Sequence, residues 1–73
     1  MRYNIRNDNG DCGTVDTLLQ VFIALSAFSP NGLEIQEGVV ATFENVGSLL
    51  GAYGVCDIHM TGCKAFWTIR EAS

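Results

Sequence analysis

Charge is scarce in this chain of 73 residues: 16% are Asp, Glu, Lys or Arg, and only four of those are basic. Eight acids set the formal net charge at −4. That balance argues against general affinity for nucleic acid, since neutralising a run of phosphates takes a larger basic footprint. Long apolar runs are missing too. The most apolar stretch, Leu18 to Phe28, is far too short to cross a hydrocarbon core of about 30 Å. The opening MRYNIRNDNGD has no apolar segment of the signal-peptide kind. The expectation is a cytoplasmic protein without membrane contact. Proline occurs once, at Pro30, and histidine once, at His59. There is no phosphate-binding loop, no dinucleotide fingerprint and no paired C-x2-C. Neither an internal repeat, a linker nor a low-complexity tail divides the chain, which reads as a single small domain over residues 1–73.

What the chain has is apolar bulk, 48% of its residues. Disorder is thereby excluded. A domain this short buries only about 60% of the surface exposed by its unfolded chain, so a disulfide, a metal or a second subunit would help it. Its three cysteines, Cys12, Cys56 and Cys63, are an odd number in a chain with no export signal, which favours a reduced setting.

Tyr3 and Ile5 alternate with Arg2, Asn4 and Arg6, the period of a half-buried strand over residues 2–6. The loop NDNGDCG follows. Thr14 then caps a helix running to about Phe28, with Asp16 in the first turn and Pro30 ending it. PNGLEIQEG reads either as a capping box or as a short strand. From about Gln36 to Tyr53, Val39, Val40, Phe43, Val46, Leu50 and Tyr53 line one side of a second helix, opposite Glu37 and Glu44. Gly47 and Gly51 lie one turn apart near its apolar side, where close packing on the first helix is expected.

The stretch GVCDIHMTGCKAFWTIRE sets Cys56, His59 and Cys63 within eight positions, which raises the question of zinc. A hairpin turning at Thr61-Gly62 pairs Met60 with Cys63, Ile58 with Ala65 and Cys56 with Trp67. It sends Cys56, Ile58, Met60, Cys63, Ala65, Trp67 and Ile69 to one face. Asp57, His59, Thr61, Lys64, Phe66, Thr68 and Arg70 go to the other. Cys56 and His59 then lie on opposite faces, and Cys56 and Cys63 are offset by roughly 13 Å, so no metal or disulfide joins them. No metal and no cofactor is expected. Cys12, just before a helix N-terminus, is the one thiol a dipole could activate, but Asp11 and Asp16 oppose it. The chain does not read as an enzyme.

All four basic residues, Arg2, Arg6, Lys64 and Arg70, fall on strand positions facing away from the helices, while most acids lie in loops or helices. A bipolar molecule is expected. Its open sheet face, with Arg6, His59, Lys64, Phe66 and Arg70, is the candidate binding surface. The first helix supplies another. Its wheel places Leu18, Leu19, Phe22, Leu25 and Phe28 in the core and leaves Ile23, Ala24 and Ala27 as an uncharged outer face, a candidate interface for a homodimer or another protein.

The expected architecture is α+β, a two-layer sandwich in the order β-α-α-β-β. Both helices lie on one face of a three-stranded, mainly antiparallel sheet. The N-terminal strand pairs antiparallel with the first hairpin strand, or alternatively parallel with the second. The expected function is a non-enzymatic protein-binding module. Small acidic single-domain proteins of this kind are typical accessory or inhibitor proteins of phages and mobile elements, an analogy of size and charge alone. The other reading is a single-stranded nucleic-acid binder using the open sheet face, with Phe66 stacking on a base.

Overall fold

The computed structural model describes residues 2–62 and 66–72. In chain order its elements are β1 (Arg2–Asn7), β2 (Gly10–Val15), α1 (Leu18–Ser26), β3 (Leu33–Gln36), β4 (Val39–Val40), α2 (Phe43–Tyr53), β5 (Val55–Met60) and β6 (Phe66–Ala72). The strands form one antiparallel sheet of six, in the order β2-β1-β6-β5-β3-β4. The fold is α+β with two helices, as expected, but the sheet is wider than the predicted three strands.

The extra strands sit at the sheet's two margins. β2 replaces the predicted loop and the predicted cap at Thr14. The turn before it is set by Asn7, whose Oδ1 accepts from the Asn9 N–H at 2.9 Å, and by Gly10 at φ 113°, a conformation that β-carbons disfavour. GDCGTV shows no apolar alternation because it is an edge strand, exposed along most of its length. Pairing jumps from Ile5↔Gly13 to Arg6↔Asp11, so Cys12 is the extra residue of a bulge. At the other margin β3 and β4 form a hairpin around Gly38, at φ 83°. The second helix therefore starts at Phe43 rather than near Gln36. Val39 and Val40 fit a helical wheel by coincidence of spacing; the β-branched pair is used in a strand.

Both helices begin with reciprocal caps. Thr17 Oγ1 accepts from the Gln20 N–H at 3.2 Å, and Gln20 Oε1 accepts in turn from the Thr17 and Asp16 amides at 3.1 and 2.8 Å. In α2, Thr42 Oγ1 accepts from Asn45 N–H at 3.1 Å and Asn45 Oδ1 accepts from Thr42 N–H at 2.8 Å. Asn45 Nδ2 also donates to the Val40 carbonyl at 2.6 Å, tying the helix to β4. Thr17→Ala and Thr42→Ala are each expected to cost about 1 kcal/mol, and Ser at either position to keep most of it. Urea midpoints of the four variants check this.

The β5–β6 hairpin keeps the predicted faces but not the predicted pairing. Cys56 lies opposite Ile69 and Ile58 opposite Trp67, two residues out of the expected register. Side chains alternate with a period of two, so a shift of two leaves each on its own face. The predicted partners Cys63 and Ala65 lie outside the described residues. Strand order differs from the simplest expectation as well: β1 pairs with β6, the alternative partner, and runs antiparallel rather than parallel to it. The three strands beyond the expected three add three chain reversals to the path, an odd number, so β5 arrives parallel to β1 and β6 antiparallel.

Alternate residues of the central strands close the core. Ile5, Cys56, Ile58, Trp67, Ile69 and Leu33 are buried on one face of the sheet, against Val21 and Leu25 of α1 and Val46 and Leu50 of α2. Fully burying one such aliphatic side chain stabilises by about 1.5–3 kcal/mol. Gly47 lies close to α1, where an added β-carbon would sit 3.9 Å from Leu18 Cδ2. Gly51 faces open space, so close helix packing does not explain it.

Candidate functional site

The face of the sheet away from the helices carries the described candidate binding residues. His59 and Phe66 are direct cross-strand neighbours on β5 and β6, with Glu34 of β3 on the other side of His59. Phe66 is 39% exposed. Arg6 lies between Asp11 of β2 and Thr68 of β6. Arg70 lies between Asn4 and Val55. Lys64 lies outside the described residues. The register thus brings Arg6, His59, Phe66 and Arg70 onto one surface.

The described part of that surface is not the basic pole expected from the sequence. Among the described residues, Arg2, Arg6 and Arg70 share it with Asp11, Asp57 and Glu34, three carboxylates against three guanidinium groups. One of those acids, Asp11, stands on β2, which the sequence did not reveal, and another, Glu34, on β3, which the sequence offered as one of two readings. Arg2 reaches Asp16 at 3.4 Å, an exposed pair of little energetic weight. Asp57 Oδ1 accepts from Thr68 Oγ1 at 2.8 Å.

Asp11 is the most engaged carboxylate. Its Oδ1 accepts from the Gly13 N–H at 2.9 Å and from Asn4 Nδ2 at 3.0 Å. The Gly13 amide above all, then Asn4, hold its carboxyl below the usual aspartate range, and the charge of nearby Arg6 adds to them. These contacts favour the ionised form in the folded state. Their contribution is therefore present above the unfolded aspartate value of about 3.9 and lost as pH falls through the lower folded value. Asp11→Asn is expected to melt at the same temperature as the parent in strong acid and to fall behind it above about pH 4. A pH series of thermal melts checks the sign.

Helix α1 carries the other candidate surface. Its nine residues, LLQVFIALS, include no charge. Val21 and Leu25 point into the core, whereas Leu19 and Ile23 stand 55% and 62% exposed. Ala27, one turn further, is exposed as well. Ala24 is half-buried against the core and does not belong to that stripe. The Phe22 ring meets the Phe43 ring edge-on at 4.6 Å between centroids, joining α1 to the exposed Phe43 of α2. The wheel was out of phase in the sequence: Leu19 and Phe28 were placed in the core, yet Phe28 is 69% exposed and Val21 holds the buried position. A helix that is apolar all round has no polar side from which to fix its rotation.

Cys56 is buried, and burial, followed by the charge of Asp57, pushes its thiol up; such a thiol is a poor nucleophile. His59 is on the opposite face of the same strand. Among the described residues no three His, Cys, Asp or Glu side chains come together as a metal-holding group, and no helix is long and apolar enough to cross a membrane. Comparison of the chain with protein-family models, with curated proteins and with solved structures found no match.

Proposed function

We infer that this protein is a non-enzymatic protein-binding module that covers a partner's surface with the outer face of α1. The observation that carries the reading is the stripe of Leu19, Ile23 and Ala27, exposed on a helix without charge in a chain of net charge −4. Contiguous exposed apolar side chains on a small domain tend to mark contact sites. A second copy of the chain is one partner this face would suit, because α1 is where two acidic molecules could meet without opposing like charges. A role as an accessory or inhibitor protein rests on the analogy of size and charge alone.

The other reading, a nucleic-acid strand on the open sheet face, draws on the adjacent Phe66 and His59. The carboxylates of Asp11, Asp57 and Glu34 on that face oppose phosphate. Salt separates the two. An apolar contact through α1 should survive from about 0.01 M to about 1 M salt, and should survive Arg6→Glu with Arg70→Glu. Sedimentation velocity follows self-association across that range, and capture on immobilised protein follows other partners. Complexes lost both with salt and in the arginine variant would overturn the α1 reading in favour of the sheet face.

A further inference from the structure

A cavity of about 440 Å³ opens at one end of the core, between the C-terminal half of α1 and the sheet. Its buried wall is Ile5, Leu25 and Trp67, with Met60 and Ala24 half-buried beside them. Exposed Phe28 and Cys12 and half-buried Asn7 also line it. No charged side chain lines it among the described residues. Asn7 Oδ1 is occupied by the Asn9 amide, which leaves the Nδ2 of the same side chain as a donor near otherwise apolar walls.

We propose that this cavity is a binding site for a small, uncharged, largely apolar ligand carrying one hydrogen-bond acceptor. Its volume falls in the range of small-molecule sites, about 300–1,000 Å³, and its lining has their usual composition, apolar walls with few polar groups. The described walls offer nothing to compensate a buried charge, so an ionised ligand pays desolvation without return. A flat ring suits a cavity lined by the Trp67 indole and the exposed Phe28 ring, since aromatic side chains favour offset or edge contacts. Asn7 would orient the ligand by donating to its acceptor. The proposal is independent of the α1 outer face, because Ala24 and Leu25 meet the cavity from the inner side of that helix.

Methyl benzoate is a suitable probe, a ring with one carbonyl, and benzoate is its charged counterpart. Titrated into 15N-labelled protein, methyl benzoate should shift the amides of Asn7, Cys12, Ala24 and Met60 saturably, with a dissociation constant of about 1 mM or below for a ligand of this size. Benzoate should bind at least about tenfold more weakly, the cost of leaving its charge without a partner. Ala24→Phe fills the cavity from within and should abolish the shifts while the amides of Asn45 and Ser48, on α2, which gives no residue to its described lining, keep their positions. Should that variant fail to fold, Cys12→Trp narrows the mouth from an exposed position and should weaken binding by about tenfold or more. Shifts that never saturate, equal binding of benzoate, or binding unchanged in a folded variant would each overturn the proposal.

Discussion

Ile69→Ala is expected to destabilise the fold by about 2–5 kcal/mol. Ile69 has no exposed surface and lies in β6 between Ile5 of β1 and Cys56 of β5, where the shortened side chain leaves a cavity bounded by regular strands that cannot easily collapse. A domain of this length holds only about 4–11 kcal/mol in total, so the variant should be partly unfolded at physiological temperature. The adjacent Thr68→Ala is the control. Thr68 faces the open side and loses one exposed hydrogen bond to Asp57, expected to cost about 1 kcal/mol or less. Denaturant midpoints compare the two, and similar costs would contradict the described register.

Ile23→Glu is expected to leave the fold intact and to abolish binding through α1. The side chain is 62% exposed, glutamate is at least as good a helix former as isoleucine, and exposed substitutions usually stay within about 0.5 kcal/mol. At a contact the same change buries an unpaired carboxylate in an apolar patch. A loss of about 2 kcal/mol or more, roughly thirtyfold in affinity, follows for a side chain near the centre of such a patch. Leu25→Glu, on the same helix but 2% exposed, should instead unfold the domain. Circular dichroism separates the two variants, and sedimentation or capture reads the binding. A folded Ile23→Glu protein that binds normally would move the contact away from α1.

How legible the molecule was depended on what each pattern encodes. Alternation along residues 55–60 and 66–72 assigned side chains to faces correctly, because parity survives any even error; it could not fix the pairing, which depends on the loop between the strands. β2 was invisible because an edge strand exposed on most positions needs no apolar alternation. β4 was invisible because two valines fit either period. That failure reached the candidate site directly. The sequence places Arg6, His59, Phe66 and Arg70 on the open face, but among the carboxylates described beside them Asp11 stands on β2, which was not foreseen, and Glu34 on β3, which was one of two readings. The rotation of α1 was equally undetermined, since Leu18, Leu19, Val21, Phe22 and Ile23 are interchangeable to a hydropathy wheel.

The pairing of Arg2 with Ala72 and of Ile5 with Ile69 has a consequence for the protein's birth. Strand β6 sits between β1 and β5, so during synthesis β1 waits with its inner edge unpaired until the last strand is made. At about 5–20 residues per second the N-terminal hairpin of β1 and β2 emerges seconds before its central neighbour exists. Ile5 is uncovered in that interval, and the distant contacts that close the gap are of the slow-forming kind. A nascent chain paused before residue 66 would therefore be the form of this protein most exposed to chaperones and to other unfinished chains.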